Sequence, residues 1–206
     1  MITLRYPATK ILIVLALTAF ALNALADGYT QATISKNQHA LAIFSGAHKI
    51  MAPRTDSEQR AFSNAQISSN GQMVGWLVLS SSCCQSYPIP LSLVIFRDGK
   101  VIRKFEDERP VWNWSFQNQD TAVAYLLRTT HGNSTVSYKL RRISDGKLIE
   151  EFECFSDPEA VPESEKNAPV PEWVWSIASE CPTHQTEANT SSAQPSGNQD
   201  AAAVTR

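Results

Sequence analysis

Apolar and polar residues alternate with a period of two along the middle of the chain. The clearest example is the run 134–142. We predict that its apolar side points inward and its polar side outward, these being Val136, Tyr138 and Leu140, and Ser137, Lys139 and Arg141. Runs at 71–80, 91–96 and 121–128 are also rich in strand-forming residues, and 71–80 is apolar on both faces. The pattern predicts an all-β fold of antiparallel strands.

The segments between these runs carry turn and loop residues. The sequence HGNS at 131–134 predicts a hairpin turn between two strands. Segment 55–62 begins with Asp56 or Ser57 as a helix N-cap and predicts one or two helical turns. Segment 157–172 is rich in proline and acidic residues, and we expect an extended loop there.

The two ends of the chain differ from its middle. Residues 1–26 combine Arg5 and Lys10, an apolar run of about 12 residues and small residues at the end, which is typical of a secretory signal peptide. A bilayer-spanning helix needs about 20 apolar residues, so we expect no membrane span after cleavage. The polar residues 183–206 predict a disordered tail. Residues 27–182 then form a single β domain.

Two similar octets lie 47 residues apart in the chain. They are DGKVIRKF at 98–105 and DGKLIEEF at 145–152. A second matching pair, ISSNGQMVGW at 67–76 and FQNQDTAVAY at 116–125, is offset by 49 residues. A shorter echo, ISKNQHALAI, occupies 34–43. These matches predict a repeated unit of about 48 residues built from short strands.

The repeated unit resembles the blades of WD-repeat-like β-propellers. Such blades place a polar turn, a hydrophobic strand, a second strand and a DG turn in that order. The resemblance implies four-stranded meanders that bury their apolar faces by stacking on one another. The chain lacks the Gly-His and Trp-Asp signatures of that family and has room for about three blades, whereas a closed ring needs at least four. We therefore predict a stacked sandwich or an incomplete propeller, or an array that another subunit completes.

The charge of the chain excludes one class of partner. Without residues 1–26, 16 Lys and Arg face 20 Asp and Glu, which leaves a net charge of −4. An acidic domain lacks the electrostatic attraction on which nucleic-acid binding depends. We therefore predict no nucleic-acid partner.

Four cysteines remain in the exported domain, namely Cys83, Cys84, Cys154 and Cys181. An even number in an exported chain predicts two disulfides. Because the first two are adjacent, we expect each of them to bridge to Cys154 or Cys181. Adjacent cysteines without a nearby histidine cluster disfavour a metal site, so no metal or cofactor is predicted.

Four tryptophans form two W-x-W pairs, Trp112 with Trp114 and Trp173 with Trp175. If each pair lies in a strand, its two rings share one face. Two interpretations stay open. The rings fill the core between stacked sheets, or they form an exposed aromatic strip that binds a protein or glycan.

The stretch CCQSYPIPLS at 83–92 is a second candidate contact segment. Tyr87 and Ile89 flank a proline in a stiff, extended connection. Loops of this kind on rigid β scaffolds often bind partners. A plain connection between two strands explains the same residues equally well.

Two classes of function survive this reading. The first is an exported, non-catalytic domain of the periplasm or cell exterior that binds a protein or envelope ligand, alone or as an oligomer. The second is a small periplasmic hydrolase or accessory enzyme whose site would use His131, the acids at 106–108 or those at 150–153. We favour the first and predict no catalytic residue, because no known catalytic motif is present.

Overall fold

A computed structural model describes residues 28–81, 87–130, 135–155, 157 and 169–182. Within these ranges the chain forms eleven strands and one short helix. They are β1 (Gln31–Ile34), β2 (Leu41–Ser45), β3 (His48–Met51), β4 (Gln59–Ile67), β5 (Val74–Ser80), β6 (Ile89–Arg97), β7 (Lys100–Glu106), β8 (Val111–Gln117), β9 (Ala122–Leu127), β10 (Thr135–Arg142), β11 (Leu148–Phe155) and α1 (Glu172–Trp175). The prediction of an all-β fold is confirmed. The signal peptide and the tail lie outside the described residues.

The strands form three antiparallel meanders, each made of strands consecutive in the chain. The first sheet has the order β1-β2-β3, the middle sheet β4-β5-β6-β7 and the third sheet β8-β9-β10-β11. Every neighbouring pair is antiparallel. The prediction of antiparallel meanders is therefore confirmed.

The three sheets stack in chain order, and the middle sheet is buried on both faces. Trp76 packs with Leu41 and Ile43 of the first sheet, whereas its neighbour Leu77 packs with Trp114 of the third sheet. Burying both faces of β5 explains why the segment 71–80 is apolar throughout rather than alternating.

The two octets occupy equivalent places in their sheets. Asp98 and Gly99 form the turn from β6 to β7, and both have positive φ angles, 51° and 75°. Asp145 and Gly146 lie in the turn from β10 to β11, where Gly146 has a φ of 76°. Glycine fits these positions because it has no Cβ to clash in the left-handed region. In both sheets the octet thus leads into the last strand of the meander.

The second pair of matching stretches also occupies equivalent places. Residues 67–76 span the turn from β4 to β5, and residues 116–125 span the turn from β8 to β9. The aromatic residue that ends each stretch faces the preceding sheet, Trp76 toward the first and Tyr125 toward the middle. A relation to propeller blades stays a prediction.

The middle and third sheets pack tightly at Gly75. A Cβ atom at this position would overlap Cη2 of Trp114 and lie 2.9 Å from its Cζ2. It would also lie 3.0 Å from Cδ1 of Ile95. The indole cannot simply retreat, because its Nε1 donates a 2.9 Å hydrogen bond to the Asn64 carbonyl.

We expect Gly75→Ala to lower the free energy of unfolding by about 2 to 3 kcal/mol, since overpacking a dense core carries a cost of this size. Urea denaturation measures it. In a Trp114→Phe background the added methyl has room, so the same change should cost less than half as much. An equal cost in both backgrounds would contradict the placement of the indole over Gly75.

Two local predictions differ from the structure. Segment 55–62 forms a single hydrogen-bonded turn, in which Glu58 N donates to Asp56 Oδ1 over 2.8 Å, and β4 then begins at Gln59. The buried Gln59 side chain accepts from Thr55 N and fixes the chain in an extended course, so no helix follows the turn.

The polar face of β10 does not point outward as predicted. Lys139 lies opposite Tyr125 in the register, so Ser137, Lys139 and Arg141 face the middle sheet. Ser137 is fully buried. The prediction failed because it assumed one solvated face, whereas the third sheet is covered on both faces.

Candidate functional site

Residues 169–182 form a cap over the outer face of the third sheet. Helix α1 and the turn after it bury Val174 and Ile177 against this sheet. Their apolar neighbours on the sheet are Ala124, Leu126, Val136, Tyr138 and Leu140. The cap therefore covers the third sheet as a further sheet would.

Cys154 of β11 and Cys181 of the cap form a disulfide with a Cα–Cα distance of 5.9 Å. The prediction that each of these bridges to Cys83 or Cys84 is wrong. Strand β11 and the end of the cap meet because the cap packs across the third sheet, a contact that spacing in the sequence does not reveal. Cys83 and Cys84 lie outside the described residues.

Polar contacts hold the cap along its length. Asn113 Nδ2 donates to the Ile177 carbonyl over 3.0 Å, and Trp173 Nε1 donates to Glu150 over 2.8 Å. At the end of the cap, the carbonyl of Glu180 accepts from Tyr138 Oη over 2.9 Å. Burial of the Tyr138 phenol, together with the nearby Glu180 carboxylate, raises the pKa of Tyr138 to about 12. The phenol thus remains a hydrogen-bond donor at neutral pH.

The rings of Trp112 and Trp114 lie on opposite faces of β8. The register shifts between Val111 and Asn113, so a bulge at Trp112 breaks the alternation. Trp114 is buried between the middle and third sheets, and Trp112 packs on the cap side with Arg128 stacked 5.0 Å from its ring centroid. The prediction that this pair shares one face is wrong, and Trp114 is a core residue.

Trp173 and Trp175 lie on helix α1, and not on a strand as predicted. Residues two apart on a helix point in different directions. Trp173 is partly buried against the third sheet, whereas Trp175 is 41% exposed. Of the four tryptophans, Trp175 is the one exposed to this extent.

Tyr87 and Ile89 also separate. Ile89 is buried and pairs with Ser80 as the first residue of β6. Tyr87 precedes the strand and is 47% exposed. Tyr87 lies next to the first residues of β6 in the middle sheet, whereas Trp175 lies on the cap over the third sheet. The two exposed aromatic residues therefore do not form one aromatic strip.

A buried charge cluster between the middle and third sheets was not predicted. Asp107 accepts from Lys139 Nζ at 2.6 Å and from Tyr125 Oη at 2.7 Å. The Arg141 guanidinium lies 3.9 Å from the same carboxylate, and Lys139 lies 3.8 Å from Glu151. Burial and the adjacent carboxylate raise the pKa of Tyr125 far above its usual value. The only sign of this cluster in the sequence was the pair of cations, Lys139 and Arg141, on one face of strand β10.

Three of the carboxylates proposed for a hydrolase form ion pairs. Glu106 pairs with Lys104, Asp107 belongs to the buried cluster and Glu153 lies 3.4 Å from Arg109. His131 lies outside the described residues. In the described ranges, no group of three or more His, Cys, Asp or Glu is arranged to hold a metal ion.

Asp120 links the middle and third sheets at their β4–β5 and β8–β9 turns. The buried carboxylate accepts from Ser69 Oγ at 2.6 Å, from Ser69 N at 3.1 Å and from Asn70 N at 3.0 Å. Burial alone would raise the pKa of Asp120, but these three hydrogen bonds outweigh it and hold the pKa below its ordinary value.

We expect Asp120→Asn to lower the free energy of unfolding by about 2 kcal/mol at pH 7, because hydrogen bonds to a charged group are the strong ones. A depressed pKa in the folded protein stabilises it above pH about 4, and this stabilisation is lost as the pH falls through the folded pKa. The difference in free energy of unfolding between wild type and Asp120→Asn should therefore narrow below pH 4.

Asp98→Asn is the matched control, because Asp98 is an exposed carboxylate that also has a positive φ angle. It should change the free energy of unfolding by less than about 0.5 kcal/mol. If the difference between wild type and Asp120→Asn stays constant down to pH 2, the hydrogen bonds do not depend on an ionised Asp120 carboxylate.

The remaining exposed large hydrophobic residues in the described ranges are Met51 on β3, Leu91 on β6, and the adjacent Leu148 and Ile149 on β11. No helix within the described ranges has the length and apolar character needed to cross a membrane. In the comparisons with known proteins, no family model and no curated protein matches this chain.

Proposed function

We propose that the chain is an exported, non-catalytic β domain that binds a protein or envelope ligand through the exposed side of its cap. The observation that carries the proposal is the position of Trp175. Its indole is 41% exposed, although the two apolar cap residues on either side of it, Val174 and Ile177, are buried. The domain thus holds a large aromatic group at its surface on a backbone that is itself anchored.

A fixed backbone matters because binding normally costs conformational entropy. Ser176, the next residue, contacts Gln117 over 2.6 Å and Ser115 over 3.2 Å on β8. The disulfide at Cys181 holds the other end of the segment. An aromatic residue presented in this way loses little freedom when a partner covers it. Tryptophan is also among the residues that most often dominate binding energy.

The chemistry of the chain supports an oxidising location. A structural disulfide persists in the periplasm or outside the cell rather than in the cytosol. The predicted signal peptide points to the same compartments. The partner is then a protein or another ligand of the cell envelope. The ion pairs that engage Glu106, Asp107 and Glu153 favour this function over the hydrolase.

Affinity capture from cell-envelope extract with the oxidised protein tests the proposal. Wild type and Trp175→Ala would be immobilised in parallel with Met51→Ala, which removes an even more exposed hydrophobic residue from the first sheet. We expect wild type and Met51→Ala to recover the same ligand, and Trp175→Ala to recover at least tenfold less, since loss of a central aromatic contact commonly costs 2 kcal/mol or more. Equal recovery by all three proteins, or no specific recovery by wild type, would overturn the proposal.

A further inference from the structure

A cavity of about 300 Å³ lies between the middle and third sheets at their turn ends. It is lined by Arg97, Ile102, Thr121, Arg142, Ile143 and Ser144. Its volume is at the lower end of the range for small-molecule sites. The cavity is separate from the cap, since its walls come from the β6–β7, β8–β9 and β10–β11 turns and the strands beside them.

Positive charge is concentrated around this cavity. Arg97 and Arg142 line it, and their side chains are about half exposed. Arg103 holds the two sheets together beside it, donating from Nε to the Ile143 carbonyl over 3.0 Å and from the guanidinium to the Ser144 carbonyl. Two arginines therefore line the cavity and a third lies beside it, although the domain as a whole is acidic.

Each lining arginine has a carboxylate of its own turn nearby. Arg97 Nε lies 3.6 Å from Asp98, and Arg142 lies 3.1 Å from Asp145. Exposed ion pairs of this kind contribute little to stability because water screens them and the side chains lose entropy. A ligand can therefore take over either arginine at small cost.

We propose that this cavity binds a phosphomonoester with a short apolar body. Arginine guanidinium groups match the geometry of phosphate oxygens. Arg97 lines the cavity from the middle sheet and Arg142 from the third sheet, so together they suit a phosphate dianion better than a carboxylate with one negative charge. Ile102 and Ile143 supply an apolar wall for the body of the ligand, and the hydroxyls of Thr121 and Ser144 add polar groups. The site is independent of the cap surface, so the failure of either proposal leaves the other standing.

Isothermal titration with butyl phosphate at low ionic strength tests the site. We expect wild type to bind, and Arg97→Gln and Arg142→Gln each to raise the Kd at least tenfold, because each loses a charge-assisted hydrogen bond. Arg60→Gln is the matched control, as Arg60 lies on β4 and bonds to Ser81 outside the cavity. Butanol, which lacks the charged group, should not bind.

Two further variants should lower the Kd for butyl phosphate instead of raising it. Asp98→Asn and Asp145→Asn remove the carboxylates that compete with the ligand, and asparagine suits turn positions. We expect each to lower the Kd by about twofold to fivefold, in keeping with the small energy of exposed ion pairs. If the Kd is unchanged or raised in both variants, the phosphate does not replace these carboxylates at Arg97 and Arg142.

The source of the phosphate is decided by a parallel experiment with vesicles containing phosphatidic acid. Vesicle binding that Arg97→Gln and Arg142→Gln abolish assigns a lipid headgroup, and binding of butyl phosphate without vesicle binding assigns a free phosphomonoester. Both results support the site. If butyl phosphate does not bind, or if all arginine variants including Arg60→Gln bind it equally, the proposal is overturned. Circular dichroism of each variant would verify folding.

Discussion

Replacing Asp107 by alanine is expected to lower the free energy of unfolding by about 4 kcal/mol, because removing one partner of a buried ion pair strands the other charge. The Asp107 and Lys139 side chains are only 12% and 15% exposed. Without Asp107, Lys139 keeps only the more distant Glu151, Arg141 loses its neighbouring carboxylate and Tyr125 loses the acceptor of its hydroxyl. Equilibrium urea unfolding at pH 7 measures the loss.

Two comparisons separate this effect from simple loss of contacts. Glu153→Ala removes a carboxylate whose pair with Arg109 is far more exposed, so it should cost less than about 1 kcal/mol. Adding Lys139→Met to Asp107→Ala removes the stranded ammonium and should recover at least about 1 kcal/mol, as apolar replacement of a buried pair often does. If Asp107→Ala costs no more than Glu153→Ala, the cluster is not buried between the sheets.

Replacing Cys181 by serine should lower the free energy of unfolding by about 3.5 kcal/mol, the loop-closure value for a bridge between residues 27 apart. Within the folded protein, local opening should increase most in the cap, because the bridge ties the end of the cap to β11. We expect the amides of Val174 and Ile177 to exchange with solvent much faster in the variant, while the β9 and β10 amides stay protected by their ladder.

Cys154→Ser provides the control for this prediction. Because both substitutions break the same bridge, each alone should cost the same, and the double variant should cost no more than either single variant. Unequal single losses, or losses that add, would contradict the Cys154–Cys181 pairing.

The sheet architecture could be predicted because strand alternation and turn residues are local signals. The octets at Asp98 and Asp145 marked the hairpins that lead into β7 and β11, since a turn with positive φ requires particular residues. The segment 71–80 is apolar on both faces because it contains β5, which is buried between the first and third sheets. The polar face of β10 was misassigned because its counter-charge, Asp107, comes from a different segment.

The site depends on contacts that no local pattern encodes. A one-residue bulge sends the Trp112 ring to the other face from Trp114, and nothing in the residues around it marks the bulge. Helix α1 has four residues, too few to show a helical period, so its W-x-W sequence imitates a strand. The cavity between Arg97 and Arg142 exists because two hairpin turns 47 residues apart in the chain stack side by side.

The middle and third sheets stack face to face, with the Trp114 indole lying against Gly75. The buried charge cluster and the arginine cavity lie between the same two sheets. Nuclear Overhauser spectroscopy of the oxidised domain tests this stacking most directly. We predict strong cross-peaks between the six-membered-ring protons of Trp114 and the α-protons of Gly75, with the chemical shifts of those α-protons displaced by the ring current. A Trp114 ring that shows cross-peaks only to residues of the third sheet, or an indole proton that exchanges freely with water, would contradict the stacked arrangement.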